Sequence, residues 1–202
     1  MQPRYGITAA CVAVLLATPC RAEVNADPGQ ADAAGSVCIA CHSADGNGVA
    51  PNVPRLLGQS ADYLLKQLKD YKDNKRLSIV AAHKLATLTS ADMARFVATF
   101  GRRAAPPAVA AEGDLITKGK KLFIEGNRAN DVPPCASCHG PAGAGTPSIP
   151  RLAGQHSEYT LDQIRQFASG GRKNDAHLCQ GIVAALTEEE AQAVAQYLAS
   201  IP

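Results

Sequence analysis

Two pentapeptides in this 202-residue chain bring together residue types that can do chemistry: Cys38-Ile39-Ala40-Cys41-His42 and Cys135-Ala136-Ser137-Cys138-His139. Two thiols three positions apart can reach both vinyl groups of one porphyrin and become thioethers. The histidine that follows is then carried beneath the ring, where its imidazole can bind iron. C-x-x-C-H is the attachment signature of a c-type haem. A thioredoxin-like dithiol would need a strand-to-helix setting in a βαβ pattern, and no strand-like alternation surrounds either pair. A shared zinc site would need both pairs to converge. They lie 97 residues apart, beyond zinc-finger spacing, and each has its own histidine. Two covalently bound haem c groups are the expected cofactors. Cys38, Cys41, Cys135 and Cys138 would attach them, with His42 and His139 as proximal ligands.

Composition fits that expectation. Aromatic residues make up 4% of the chain and there is no tryptophan, which is thin for a core of this size; bound porphyrins would supply apolar bulk. Residues 1–22 read as a secretory signal, with Arg4 ahead of an apolar run from Ile7 to Ala17 and Cys20-Arg21-Ala22 as the cleavage site before Glu23. The apolar run falls well short of the roughly 20 residues a spanning helix needs. Export to the periplasm is therefore expected, with membrane association peripheral at most; a retained anchor and lipidation at Cys20 are the weaker alternatives. Removing Arg4 and Arg21 leaves 18 of the 20 basic residues against 18 acidic ones. The neutral mature chain has no basic stripe, which argues against a nucleic-acid partner. Of the seven cysteines, Cys11 and Cys20 leave with the signal and four belong to the C-x-x-C-H motifs, so Cys179 is left over.

The elements that must position these residues are written twice. Pro54-Arg55-Leu56-Leu57-Gly58-Gln59-x-x-x-Tyr63 returns as Pro150-Arg151-Leu152-Ala153-Gly154-Gln155-x-x-x-Tyr159, and Leu88-Thr89-Ser90-Ala91-Asp92 returns as Leu186-Thr187-Glu188-Glu189-Glu190. Two similar domains are implied, 23–101 and 112–202, joined by a semi-rigid linker at 102–111 that contains Pro106-Pro107. Each half has the same helical plan. A helix leads to the haem motif, faint at Gln30–Val37 and clear at Asp114–Glu125, where Leu115, Ile116, Leu122 and Phe123 make an apolar stripe. A Gly/Pro-rich loop follows the motif. Ser60 and Ser157 are candidate N-caps for the next helices. Capping-box runs, Thr89 to Asp92 and Thr187 to Glu190, open the last ones. No segment asks to be a strand, so the expected fold is all-α, each domain wrapped on one porphyrin.

C-x-x-C-H, a Gly-rich loop, P-x-L-x-G-Q-x-x-x-Y, an Arg-bearing turn and a closing helix, duplicated after a signal peptide, resemble the dihaem cytochromes of the c4 type. The similarity covers nearly the whole mature chain and is closer in the second half, at Leu152-Ala153-Gly154-Gln155 and Gly170-Gly171-Arg172-Lys173-Asn174-Asp175. It implies two tandem class I cytochrome c domains that shuttle single electrons in the periplasm, each iron held by a proximal His and a distal Met. It also implies that the carbonyls of Pro54 and Pro150 accept the other ring N–H of the proximal histidines, a bond that fixes the tautomer and tunes basicity.

The distal methionines of that pattern are missing. Met93 alone remains in the mature chain, inside the closing helix, where it reads as core. Aligning the halves on the family pattern puts Cys179 in the second vacant slot. In the first, seven residues after Arg76 gives His83, whereas seven back from Leu88 gives Ala81, which cannot bind iron. A two-residue deletion between His83 and Leu88 is the simplest alignment. Lys84 rivals His83 and His177 rivals Cys179; either haem could also be five-coordinate. Imidazole and thiolate favour ferric iron relative to thioether, so both potentials are expected to be low. The leading function is electron transfer between redox proteins, as a free carrier or as the electron-accepting subunit in sulfur-compound oxidation. The alternative is a dihaem oxidoreductase acting directly on a small sulfur compound such as thiosulfate, to which Cys179 points. A haem sensor or gas binder would need an open iron site. Arg55, Arg76, Arg151 and Arg172, with Gln59, Tyr63, Gln155 and Tyr159, are candidate partners for haem propionates; surface charge and packing are the alternatives.

Overall fold

The computed structural model describes residues 33–78, 82–101, 103–105 and 112–202, and among these every regular element is helical. Residues 1–22, expected to be a signal segment, and most of 102–111, expected to be a linker, lie outside the described residues. Lobe 1 contains α1 (Ala33–His42), α2 (Ala61–Lys72), α3 (Ala82–Ala86) and α4 (Ser90–Phe100). Lobe 2 contains α5 (Asp114–Glu125), α6 (Ala136–His139), α7 (Ser157–Ala168), α8 (Gln180–Val183) and α9 (Glu188–Ser200). The single strand-like pairing among the described residues is a bridge between Asn127 and Val132.

Helix starts follow the side chains that can satisfy free N–H groups. Ser60 accepts from the Tyr63 N–H and opens α2. The expected cap Ser157 is instead the first residue of α7. The cap position falls to His156, which makes no side-chain cap bond. The repeat explains the shift: His156 is the counterpart of Ser60, and its ring is engaged elsewhere, with Nε2 2.8 Å from the Asn47 carbonyl. Both capping boxes close, Thr89 with Asp92 and Thr187 with Glu190, so the shorter aspartate serves as well as glutamate.

Each closing helix supplies one wall of a core. In lobe 2, Leu122 and Phe123 of α5 pack with Val132 and with Val194, Tyr197 and Leu198 of α9. Phe123 is fully buried, and removing such a ring from water contributes about 1.5–3 kcal/mol. The α5–α9 crossing depends on Gly119, where a Cβ would sit 2.0 Å from the Ala193 carbonyl oxygen. Leu115, expected in the apolar stripe, is partly exposed. Lobe 1 has a smaller core of Leu56, Leu64 and Phe100, with Ile39, Phe96 and Val97 packed against it; Met93 is buried in α4. The approach to the haem motif also differs. α1 runs straight through Cys38–His42, past the expected end at Val37. In lobe 2 a turn at 126–134, tied to α9 by Asn127 Nδ2 donating to Glu190, separates α5 from α6.

The repeated segments face each other, and they exchange bonds reciprocally. Gln59 accepts the Arg151 N–H at 2.9 Å and donates to the Arg151 carbonyl at 3.1 Å. Gln155 accepts the Arg55 N–H at 2.8 Å and donates to the Arg55 carbonyl at 2.9 Å. Deeper in, the Arg76 guanidinium donates to Gln67 of its own lobe and to Tyr159 and Gln163 of the other. Arg172 donates to Gln163 of its own lobe and to Tyr63 and Gln67 of the other. Each guanidinium also lies over a ring of its own lobe, Tyr71 at 4.7 Å and Phe167 at 4.4 Å. Arg76 and Arg172 are buried, 8% and 6% exposed. They are not solvated surface charge.

Candidate functional site

The last turn of α1 and the short α6 present the two C-x-x-C-H motifs in the same way. Among the described residues none of the four cysteines is in a disulfide; Cys38 and Cys135 are half-buried and Cys41 and Cys138 exposed. Burial is the main cause that raises the pKa of Cys38 and of Cys135. The following loop folds back on each motif. Gly48 N–H donates to the His42 carbonyl and Gly145 N–H to the His139 carbonyl, both at 2.9 Å. These glycines must be glycines: φ is +81° at Gly48 and +72° at Gly145, and a Cβ would lie 2.6 Å from Val53 O and 2.3 Å from Ile149 O.

The returning loop delivers a proline carbonyl to each imidazole. His42 Nδ1 lies 3.0 Å from the Pro54 oxygen and His139 Nδ1 lies 2.9 Å from the Pro150 oxygen. A carbonyl can only accept, so Nδ1–H is the donor and Nε2 keeps its lone pair. Burial lowers the pKa of both histidines, partly offset by the proline bond, which favours the neutral ring a metal needs. Two thiols and one free imidazole nitrogen on a single turn suit a c-type haem in each lobe. Among the described residues no three His, Cys, Asp or Glu side chains gather as a metal cluster, so the two C-x-x-C pairs do not converge on a shared zinc.

The candidate distal residues are placed less alike. His83 is exposed at the start of α3, with exposed Lys84 beside it; residues 79–81 ahead of them are outside the described residues. Cys179 is half-buried and stands just before α8. Its thiol is pushed up to about 12, first by burial, then by the hydrogen bond and charge of Asp175, with Cys138 adding a smaller push against Arg172. His177 is exposed, with Nδ1 2.8 Å from Gln180 Oε1. Ala176 and His177 adopt φ of +58° and +64°, a conformation that costs a non-glycine residue about 1 kcal/mol or more.

Sequence reasoning named Gln59, Tyr63, Gln155 and Tyr159 but missed Gln67, Gln163 and Asn174, which complete the buried network around the arginines. A signal was present: Gln67 and Gln163 recur at the same offset as Gln59 and Gln155.

Comparison with known proteins follows the same division. The sequence model of the family described as cytochrome c matches residues 26–100 and again 116–202. The chain is 40% identical over 178 residues to a cytochrome c4 of Pseudomonas aeruginosa, covering 86% of this chain and 87% of that one. It is 37% identical over 182 residues to a thiosulfate dehydrogenase electron acceptor of Stutzerimonas stutzeri, covering 86% and 82%. Its fold is similar to that of the reduced recombinant cytochrome c4 of Pseudomonas stutzeri, with a TM-score of 0.78 at 34% identity, over 83% of this chain and 94% of that structure.

Proposed function

The chain belongs to the cytochrome c family, in its dihaem c4-like branch, carries two covalently bound haem c groups and transfers electrons, and on that premise we propose how and where it works. After export and removal of residues 1–22, it acts in the periplasm as two domains, 23–101 and 112–202. It accepts single electrons from a dehydrogenase that oxidises a sulfur compound and passes them to a second redox protein. The observation that carries this reading is the pair of identical proximal arrangements, His42 on Pro54 and His139 on Pro150. Support for the sulfur-oxidation setting comes from the relative described as an electron acceptor of thiosulfate dehydrogenase.

Bound haem supplies a one-electron iron couple; the polypeptide sets its potential and orientation. Cys38 and Cys41 would tether one ring and Cys135 and Cys138 the other. His42 and His139 would present Nε2 to iron, each locked in one tautomer by its proline. We assign His83 and Cys179 as the distal residues, with Lys84 and His177 as their rivals. Imidazole and thiolate both favour ferric iron over the thioether of a methionine, so both potentials would be low, the second lower if Cys179 binds as thiolate.

Mixing the oxidised protein with thiosulfate, alone and with a purified thiosulfate dehydrogenase, tests the setting. Reduction that requires the dehydrogenase is expected. Reduction by thiosulfate alone would instead favour the second reading, direct oxidation by this chain, which draws on the half-buried Cys179.

A further inference from the structure

Each lobe touches the loop that follows the other's C-x-x-C-H, and the two contacts land on different peptide units. Ser60, ahead of α2, donates its hydroxyl to the Pro147 carbonyl at 2.7 Å. Its counterpart ahead of α7 is His156. That half-buried ring places Nε2 2.8 Å from the Asn47 carbonyl. A carbonyl can only accept, so Nε2–H is the donor. The Tyr159 N–H, in the first turn of α7, holds the same loop at the Pro51 carbonyl, 3.2 Å away. The Asn47 carbonyl and the Gly48 N–H belong to one peptide unit, and that N–H makes the 2.9 Å bond to the His42 carbonyl. Just before it, the Gly46 carbonyl accepts the Leu56 N–H at 2.8 Å, two residues past Pro54. A peptide unit is planar, so its C=O and N–H cannot turn independently. A bond to one end also polarises the unit and strengthens the bond at the other. Lobe 2 repeats the inner bond, from Gly145 N–H to the His139 carbonyl. Ser60, however, reaches Pro147, outside the peptide unit that makes it.

We infer that His156, a residue of lobe 2, is a positioning residue for the iron site of lobe 1: by holding the Asn47–Gly48 peptide it seats the loop, and with it the Pro54 carbonyl, against His42. The inference rests on the reading of His42 as an iron ligand. Bonds within the loop keep the site assembled when His156 is lost; what changes is how firmly the loop sits. A half-buried carbonyl stripped of its donor turns to find another. That turn weakens the Gly48 bond to His42 and slackens the Gly46–Leu56 tie on which Pro54 is carried. The Pro54 bond to Nδ1–H then lengthens from 3.0 Å. That bond makes the imidazole a stronger donor to iron. Weakening it disfavours the ferric state, so the lobe 1 potential rises. Loss of the Ser60 contact has no equivalent route to His139.

The test is a redox titration of the dihaem protein followed by proton resonance of the haem methyl groups, each assigned to its lobe by contacts with that lobe's own C-x-x-C-H peptide. His156→Ser gives position 156 the residue that lobe 1 has at 60 and removes the Nε2 donor. At a fixed potential the reduced-to-oxidised ratio of the lobe 1 haem should rise about threefold, a fraction of what losing a direct partner of a metal-bound histidine costs. The lobe 2 ratio should hold. His156→Gln keeps an N–H at similar reach and should restore the wild-type ratio. Ser60→Ala should leave the lobe 2 ratio unchanged. Exchange of the Gly48 amide should quicken in His156→Ser and not in His156→Gln. An equal shift of both haems, a shift of lobe 2 alone, no shift of either, or a shift in His156→Gln as large as in His156→Ser would overturn the inference. Hyperfine-shifted His42 ring protons in the oxidised wild type report separately on the premise. If they are absent, the reading of His42 as ligand fails and the inference with it; if they are present and the lobe 1 ratio does not move, the inference alone falls.

Discussion

Lobe 1 and lobe 2 treat the two sides of their haem sites differently. On the proximal side they are near copies, with imidazole-to-proline distances of 3.0 and 2.9 Å and the same 2.9 Å backbone bond from the glycine loop to the histidine carbonyl. The residues proposed for the distal side differ: in lobe 1 an exposed histidine in α3, in lobe 2 a half-buried cysteine whose N–H donates to Asp175. The proximal side is built from hydrogen bonds that close within about a dozen residues, so it survives changes elsewhere in the chain. As proposed, each distal side hangs on one side chain, His83 in α3 and Cys179 just before α8. A duplicated domain can thus keep attachment fixed while its two potentials move apart.

The largest expected effect tests the likeness. Cys38→Ala with Cys41→Ala, and Cys135→Ala with Cys138→Ala, should each remove one covalent haem per chain, halving the pyridine haemochrome absorbance. A pair that left both haems attached would break the proximal equivalence. The next effect sharpens the distal contrast. His83→Met should raise only one of two potentials in a redox titration and Cys179→Met only the other, because thioether ligation favours ferrous iron. A shift of both centres by either variant would deny that the distal sides are independent.

The interface predicts symmetry again, at smaller scale. Gln67→Ala and Gln163→Ala each strip an acceptor from both buried guanidiniums, and each should cost about 1–3 kcal/mol in denaturant unfolding of the holoprotein. Values differing by more than the size of either effect would show that the network is not reciprocal. The smallest effect concerns the capping boxes. Thr89→Ala and Thr187→Ala should each cost about 1 kcal/mol. Asp92 is held at about 2, chiefly by the Thr89 hydroxyl and N–H. Its folded pKa lies below the unfolded one, so its contribution is present above the ordinary aspartate range and is lost as pH falls through about 2. Melting temperatures of wild type and Asp92→Asn should converge over that interval; a constant gap would mean the carboxylate contributes nothing through its charge.

Much of this was legible before the fold was known. C-x-x-C-H names its chemistry because two thioethers and one imidazole nitrogen leave little freedom in spacing, and the helical plan follows from periodicity and caps. Ser157 was misplaced as a cap because a hydroxyl before an apolar run looks like one wherever it stands; only the repeat register assigns the position to His156. The fate of Arg76 and Arg172 was hidden for a different reason. A repeat reveals that two segments share an environment, but not that they are each other's environment. Hydrogen bonds between Tyr159 and Arg76, or Tyr63 and Arg172, span more than 80 residues and leave no local pattern.

Electron paramagnetic resonance of the oxidised dihaem protein tests the distal contrast most directly, recorded for wild type, His83→Ala and Cys179→Ser. Two distinct low-spin ferric signals are expected, with His83→Ala converting one and Cys179→Ser converting the other. Wild-type signals that survive both substitutions, or a methionine-to-iron band in the red absorption of the wild type, would contradict it.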